Sequence, residues 1–281
     1  MILIADSGSS KTSWYLIKNS NGLYESCRTE GINPWLQTEK DIFEKLTKEF
    51  TLLKGRFDAV HFYGAGCANP EKNDQVKRPL NKFFQAKDVF IYSDIMAAAR
   101  ALCADTPGIA AILGTGSNSC YYDGSKIISQ VPPLGYILGD EGSGAVLGRK
   151  LLSDIFKKQL PEDICNRFSD KYKLEPAKIM ENIYHKPFPN RFMAKFTWFL
   201  SENIGHPSIY KLVNNCFKEF FTRNIKQYPE SAHLPVNATG SIAWHFREVL
   251  IESARETGFQ TGVITKSPMD GLVKFHLENI R

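Results

Sequence analysis

The sequence has 281 residues, 43% of them hydrophobic and 23% charged, which is typical of a soluble globular protein and long enough for two domains. Its net charge of +5 comes from dispersed lysines and arginines, so we expect no nucleic-acid partner. No segment approaches the roughly 20 apolar residues of a transmembrane helix, and the first residues do not resemble a signal peptide. We therefore expect a cytoplasmic protein without a membrane partner.

The cysteines and histidines show no metal-binding pattern. The six cysteines are scattered along the chain and form no CxxC pair, which argues against a structural zinc site and against a disulfide framework. The six histidines lack metal-ligand spacing as well. We expect the cysteines to be buried free thiols and the histidines to be structural or solvated.

Strands and helices are predicted to alternate in the first half of the chain. Apolar residues at three- and four-residue spacing indicate a helix over 39–53, and IMAAARALCA is a second predicted helix. The polar run CANPEKNDQVK between them is expected to be a loop. Four short apolar or alternating runs are the predicted strands: MILIAD, SWYLIK, DAVHFYGAG and VFIYSD.

The pattern of the first 20 residues begins again at residue 108. GIAAIL is a predicted strand, GTGSNS a small polar turn and CYYDGSK a further strand. With an offset of 108 residues, IADSGS aligns with ILGTGS, so that Gly8 lies opposite Gly116. Two copies of a strand–turn–strand unit predict a duplicated α/β plan.

The rest of the second half is mostly helical, and one last strand, LPVNAT, precedes the predicted helix SIAWHFREVLIESARETG. The domain boundary is predicted near Pro107, which gives domains 1–107 and 108–267. We expect the tail, 268–281, to pack back on the first domain. The other predicted helices cover 143–158, 161–171, 175–184, 190–204 and 208–227.

The two small polar turns contain candidate phosphate-binding residues. The first resembles a P-loop, but a serine stands where GxxxxGK[ST] requires glycine, and a strand follows in place of a helix. A glycine- and serine-rich turn between strands can instead direct backbone N–H groups at a phosphate, and ordinary hairpin turns are the alternative. The residues concerned are Gly8, Ser9, Ser10, Lys11 and Thr12 in the first turn, and Gly114, Thr115 and Gly116 in the second.

A third small turn, NATGSIAWHF, lies at the start of a late helix. Gly240 and Ser241 would allow a flat ring to lie against the backbone. The alternative is a strand-to-helix turn in which Ser241 is the N-cap.

These motifs together resemble a known superfamily. DSGSSKT, GTGSNS and GSIA resemble the two phosphate motifs and the adenosine motif of the actin-like, sugar kinase and Hsp70 ATPases. GYILGDEGSGAVLGRKLL narrows the resemblance to the N-acetylglucosamine kinase-like family and the related BadF/BadG/BcrA/BcrD ATPases. The resemblance implies two α/β domains of the actin-like ATPase (ribonuclease H-like) type around a central nucleotide cleft, with ATP and Mg²⁺ as cofactors, and it suggests a homodimer.

The cysteine positions favour one branch of this family. The activator ATPases need cysteine thiolates for an iron–sulfur cluster, within a CAAGTGR-like run at the second phosphate loop. Here that loop reads LGTGSNSC, and Cys120 follows the turn. We therefore predict an ATP-dependent kinase that phosphorylates an amino sugar, N-acetylglucosamine at its 6-hydroxyl. The alternatives are an ATPase activator of a 2-hydroxyacyl-CoA dehydratase or benzoyl-CoA reductase, and a non-catalytic sugar- or nucleotide-binding regulator.

Two aspartates are the candidates for the chemical step. Asp94 follows the strand VFIYS, at the carboxyl end where open α/β sheets bind ligands, and the resemblance places the catalytic base there. Its alternative role is the N-cap of the next helix. Asp6 ends the first strand and is predicted to organise Mg²⁺ through water.

The sugar is predicted to contact a loop of the first half and two of the second. Carboxylates accept strong hydrogen bonds from hydroxyl groups, although Asp140 and Glu141 could instead favour the N-terminus of the helix that follows. Asn33 could instead only form an Asn-Pro turn. By resemblance, the sugar contacts are Asn33, Thr115, Ser117, Asn118, Gly139, Asp140 and Glu141.

Overall fold

A computed structural model describes residues 1–8, 10–18, 24–52 and 57–279. Contacts between Cα atoms divide the chain into two compact units. Unit 1 comprises Met1–Thr106 and Ser267–Arg281, and unit 2 comprises Pro107–Lys266. None of the helices in the described ranges is both long and apolar enough to cross a bilayer.

Unit 1 is built on a mixed five-stranded sheet in the order β3-β2-β1-β4-β5. Strands β1 to β3 are antiparallel, whereas β4 and β5 run parallel to β1. The parallel arrangement brings the carboxyl ends of β1, β4 and β5 to one edge of the sheet. The strands are β1 (Ile2–Ser7), β2 (Lys11–Ile17), β3 (Tyr24–Glu30), β4 (Ala59–Gly64) and β5 (Asp88–Ser93).

Helices cover both faces of this sheet. On one face, Leu3 and Phe62 belong to the core beneath α1 and α2. On the other face, Ile4 and Tyr63 belong to the core beneath α3 and the C-terminal helix α13. The alternation of neighbouring strand residues between the two faces explains this division. The helices are α1 (Glu39–Glu49), α2 (Pro70–Phe84), α3 (Asp94–Cys103) and α13 (Met269–Glu278).

The polar segment that was predicted to be a loop forms the first half of α2, and that prediction was wrong. Asn69 is the N-cap and accepts a hydrogen bond from the Lys72 amide at 2.9 Å, and Pro70 occupies the first helical position. The first residue buried in this helix is Val76, in its second turn. The polar first turn therefore gave no helical periodicity, although its cap and proline are a helix-start signal.

Unit 2 repeats the strand plan of unit 1. Its sheet has the order β10-β9-β6-β7-β8, in which β6 to β8 are antiparallel and β9 and β10 run parallel to β6. When β6 to β10 are matched in chain order with β1 to β5, the two sheets have the same strand order and directions, as the sequence repeat predicted. The strands are β6 (Gly108–Leu113), β7 (Ser117–Tyr122), β8 (Ile127–Gln130), β9 (Val236–Thr239) and β10 (Thr261–Thr265).

The helices of unit 2 surround an apolar core rich in phenylalanine. Two predicted helices are divided: 190–204 becomes α8 and α9, and the helix after Gly240 breaks at Phe246, which leaves helical geometry and is buried. The helices are α4 (Gly135–Leu138), α5 (Gly144–Phe156), α6 (Glu162–Tyr172), α7 (Pro176–Met180) with a π-helical turn (Glu181–His185), α8 (Pro189–Ala194), α9 (Thr197–Glu202), α10 (Pro207–Arg223), α11 (Ser241–His245) and α12 (Arg247–Glu256).

Candidate functional site

In unit 2, the second small polar turn is joined to the start of α5. The amide of Gly144 donates to the Gly114 carbonyl at 2.8 Å, and the amide of Ala145 donates to the Thr115 carbonyl at 3.0 Å. The turn is closed by a bond from the Gly114 amide to the Gly116 carbonyl at 2.9 Å. Among the described residues, no turn or loop bond joins the amide of Thr115 or Gly116 to a backbone carbonyl, and backbone amides in such a turn can donate to an anion.

The third turn lies against the same strand end. Gly240 has φ +124°, and a Cβ atom there would lie 2.3 Å from the carbonyl oxygen of Leu113, the last residue of β6. Glycine is therefore required by the β6 backbone. Gly240 is itself the N-cap residue, while Ser241 is the first helical residue and is exposed. The alternative interpretation, in which Ser241 is the N-cap, is therefore wrong.

Asp140 faces the second turn. Its carboxylate Oδ2 is 3.0 Å from where a Cβ of Gly116 would lie, so the missing side chain makes room for it. Asp140 has φ +54°, an uncommon conformation for a residue other than glycine, and its amide donates to the Pro133 carbonyl at 3.1 Å. The adjacent Gly139 is needed because a Cβ there would lie 2.2 Å from the same carbonyl oxygen. These contacts fix the Asp140 carboxylate beside the turn.

Three further contacts distinguish the roles of the two carboxylates in GDEGSG. The cap of α5 is Ser143, which accepts a hydrogen bond from the Val146 amide at 3.3 Å, so neither acid caps the helix with its side chain. The carboxylate of Glu141 accepts from Arg223 Nε at 2.7 Å and from Asn224 Nδ2 at 3.1 Å, and its side chain is only 12% exposed. Glu141 therefore ties the loop to the end of α10.

The other predicted sugar residues of unit 2 lie on β7 and the turn before it. Thr115 is half-buried, and Ser117 is buried. Asn118 accepts hydrogen bonds on Oδ1 from the Ser119 amide and from Gln130 Nε2, each at 2.9 Å. Because Oδ1 already accepts these two bonds, Nδ2 is the group of this side chain that can donate to a ligand.

In unit 1, the first polar turn joins β1 to β2. The Gly8 amide donates to the Lys11 carbonyl at 3.0 Å, and Ser10 and Lys11 are exposed. Thr12 is fully buried, and its hydroxyl bonds to Ser7 Oγ at 2.7 Å and to the Glu30 carbonyl at 3.2 Å. These bonds favour a structural role for Thr12. The predicted phosphate contact of Ser9 lies outside the described residues.

Asp6 and Asp94 both lie at the carboxyl edge of the first sheet, Asp6 in β1 and Asp94 directly after β5. Asp6 shares the α3 face with Ile4, two residues earlier in β1. Burial, together with the Asp94 carboxylate, raises the pKa of Asp6 to about 7, while Lys11 opposes this shift. A divalent cation would relieve the repulsion between the two acids, and carboxylate oxygens are suitable Mg²⁺ ligands.

The residue that caps α3 is the neighbour of Asp94 and not Asp94 itself. Ser93 is the N-cap of α3 and accepts from the Met96 amide at 3.4 Å. Asp94 Oδ1 accepts from the Ile95 amide at 2.8 Å. Asp94 therefore has a defined orientation at the helix start without being the capping residue.

The loop with Asn33 is seated on the turn that follows β4. Asn33 Oδ1 accepts from the Trp35 amide at 3.0 Å and would lie 2.6 Å from a Cβ at Gly66, and Trp35 Nε1 donates to the Gly66 carbonyl at 3.2 Å. In the same turn, burial and then the Asp94 charge raise the pKa of Cys67 to about 12. The Asn-Pro turn forms here, and it also positions the exposed Trp35, which sequence reasoning missed although it lies in GINPW.

No group of three or more histidine, cysteine or acidic residues able to hold a metal ion occurs within 1–8, 10–18, 24–52 and 57–279.

Comparison with solved structures identifies the family. A candidate N-acetylglucosamine kinase from Porphyromonas gingivalis superposes with a TM-score of 0.93, is 43% identical and is matched over 99% of both chains. A second candidate N-acetylglucosamine kinase, from Chromobacterium violaceum, gives 0.73 at 16% identity over 98% of each chain. A ROK family glucokinase from Streptomyces griseus, solved with glucose and AMPPNP, gives 0.54 at 12% identity over 98% of this chain and 97% of that one.

No family model and no curated protein matches the sequence. The two structures of low identity establish the fold alone, which is that of the actin-like ATPases and sugar kinases. The relative from Porphyromonas gingivalis is similar over its whole length at an identity that establishes membership. The chain therefore belongs to the N-acetylglucosamine kinase-like family of the actin-like, sugar kinase and Hsp70 ATPase superfamily.

Proposed function

We propose that this protein transfers the γ-phosphoryl group of ATP to the 6-hydroxyl of N-acetylglucosamine. The observation that carries this proposal is the position of Asp94 at the carboxyl edge of the first sheet, the edge that also holds Asp6, with the cap of α3 already supplied by Ser93. Similarity to a candidate N-acetylglucosamine kinase supports the choice of sugar.

The proposed reaction needs one base and one acceptor oxygen. The sugar 6-hydroxyl oxygen attacks the γ-phosphorus, its proton passes to the Asp94 carboxylate, and the bond to the β-phosphate oxygen breaks to release ADP. The amides of Thr115 and Gly116 are suited to hold phosphate oxygens, as are the exposed Ser10 and Lys11. When bound through Asp6, Mg²⁺ would neutralise charge that develops on the phosphates.

We propose that a hydrogen-bond acceptor and a hydrogen-bond donor of unit 2 select the sugar. Asp140 presents a fixed carboxylate that accepts from ring hydroxyls. Asn118 presents an amide Nδ2 that can donate to the acetamido carbonyl. Asn33, held by its bond from the Trp35 amide, is the proposed sugar contact of unit 1. A homodimer and a cytoplasmic location remain predictions for this protein.

The variant Asp94→Asn tests the assigned base. It keeps the size and the hydrogen bond from Ile95 but cannot take the proton, so turnover should fall by at least about 100-fold while ADP binding stays the same. Calorimetry with ADP and a coupled assay measure the two quantities. Asp105→Asn, an exposed acid beyond the other end of α3, is the matched control. Turnover near normal in Asp94→Asn would remove this residue as the base.

A further inference from the structure

A buried tyrosine hydroxyl joins two segments of unit 2. Tyr228 is only 2% exposed, and its hydroxyl donates to the Ser119 carbonyl at 2.9 Å and lies 3.0 Å from Ser119 Oγ. It also accepts a hydrogen bond from the Val131 amide at 2.9 Å. A phenolic hydroxyl both donates and accepts, so these contacts use it in both capacities. Burial raises the pKa of Tyr228, which keeps the phenol protonated and able to donate.

The amide bonded to this hydroxyl begins a loop, residues 131–141, that we call the strap and that lies between β8 and α5. Within the strap, the Asp140 amide donates to the Pro133 carbonyl, which ties the end that bears the carboxylate to the beginning. Next to Asp140, Glu141 is bonded to two residues at the end of α10. The chain segment 223–228 therefore holds both ends of the strap.

The same hydroxyl supports the predicted sugar contact on β7. Asn118 Oδ1 accepts a hydrogen bond from Gln130 Nε2 at 2.9 Å, and this bond leaves Nδ2 as the group that can donate. Tyr228 bonds to the residue that follows each member of this pair, Ser119 after Asn118 and Val131 after Gln130. Its hydroxyl therefore holds together the two chain segments from which the pair is built.

We propose that Tyr228 is a positioning residue that fixes the spacing between two sugar contacts, the Asp140 carboxylate and the Asn118 amide. This role rests on the proposed function, because it concerns the same sugar contacts, and it adds the group that lets the site hold a 2-acetamido sugar at two points. A rigid sugar ring held by both groups depends on their spacing, whereas ATP, which is proposed to bind through other groups, does not.

Steady-state kinetics of the full chain with Mg·ATP and N-acetylglucosamine test this role. Tyr228→Phe removes only the hydroxyl and leaves the Val131 amide without its acceptor, so the KM for the sugar should rise about tenfold. The KM for ATP and kcat should stay within about twofold of the wild type, since a loss of uniform binding raises KM alone. Tyr172→Phe, which removes a hydroxyl from a ring packed against the same apolar core, is the matched control and should leave all three constants unchanged.

Two further variants test the route from Tyr228 to the sugar. Gln130→Ala removes the bond to Asn118 from an exposed position, so it should raise the KM for the sugar without disturbing the core. In an Asn118→Ala background, Tyr228→Phe should raise that KM by less than about twofold more, because both changes act through one contact.

A KM for the sugar within about twofold of the wild type, in Tyr228→Phe or in Gln130→Ala, would overturn the positioning role. Equal rises in the KM for the sugar and for ATP would also overturn it, and so would effects of Tyr228→Phe and Asn118→Ala that multiply, since these patterns reflect a general loss of structure. In each of these cases, phosphorylation of the sugar by the wild-type protein would leave the proposed function standing. If the wild-type protein forms no sugar phosphate, the proposed function fails as well.

Discussion

At the scale of single residues, Asp6 is the proposed cation ligand, and its ionisation lowers the stability of the folded protein. Its pKa is about 7 in the folded protein and 3.8 ordinarily, so the folded state holds the proton more tightly than the unfolded state does. Well below pH 3.8 the carboxyl is neutral in both states, and the folded state loses relative stability as the pH rises from there towards 7. Such a destabilised acid is expected where a cation is to be bound.

Asp6→Asn should therefore stabilise the protein in the absence of ligands. We expect the free energy of unfolding at pH 8 to rise by up to roughly 4 kcal/mol, with little change at pH 4. Urea unfolding at the two pH values measures this, and Asp105→Asn should show no such difference. A variant that is no more stable than the wild type at pH 8 would contradict the assignment of a buried, repelled carboxyl.

Some candidate site residues could be predicted from the sequence, whereas the contacts of others could not. Asp94 and Asp140 could be selected because an acid after a strand or within a glycine-rich loop is a local signal. The contacts of Thr12 and Glu141 could not, since the Glu30 carbonyl, Arg223 and Asn224 become their partners only through the tertiary structure. Both residues are tied to protein groups by these contacts.

At the scale of elements, α5 and α8 cross at a glycine, as the spacing of Gly144 and Gly148 allows. A Cβ at Gly148 would lie 1.9 Å from the Met193 carbonyl oxygen, which is backbone and cannot move without displacing α8. We expect Gly148→Ala to lower the free energy of unfolding by more than about 2 kcal/mol. Gly205→Ala, where a Cβ would meet nothing within 4 Å, is the matched control and should change stability by less than about 0.5 kcal/mol. Equal effects of the two variants in urea unfolding would contradict the close crossing.

The C-terminal helix α13 is attached to the first sheet by buried polar groups. Arg100 donates to the Tyr63 hydroxyl at 2.9 Å, and that hydroxyl lies 2.9 Å from His276 Nε2. Burial, with the nearby His61 and Arg100, lowers the pKa of His276 to about 3. Burial and Arg100 lower that of His61 to about 4. Both imidazoles are therefore neutral when folded, and stability is lost as the pH falls from about 6.5 towards 4.

His276→Gln should reduce this acid sensitivity. The glutamine can still accept a hydrogen bond from Tyr63 but cannot take a proton. We expect the loss of unfolding free energy between pH 7 and pH 4.5 to be smaller in the variant than in the wild type. An unchanged slope against pH would mean that His276 is not a group that couples acid to unfolding.

At the scale of the whole molecule, the duplicated strand plan could be predicted because each copy opens with the same local signal, a strand followed by a glycine–serine turn. The edge strands β3, β8 and β10 were not predicted. These strands are short or largely exposed, so their sequences lack clear alternation. The meeting of three separate turns at the end of β6 is likewise a property of the fold, since Gly114, Gly144 and Gly240 are far apart in the chain.

We propose that this member of the family is a sugar kinase. The most direct test is ADP release from Mg·ATP by the full chain, alone and with N-acetylglucosamine, glucosamine, N-acetylmannosamine or glucose. We predict that N-acetylglucosamine accelerates ADP release most strongly and that one sugar 6-phosphate forms for each ADP. Slow ADP release that is the same with every sugar would contradict the account and favour an activator ATPase or a regulator.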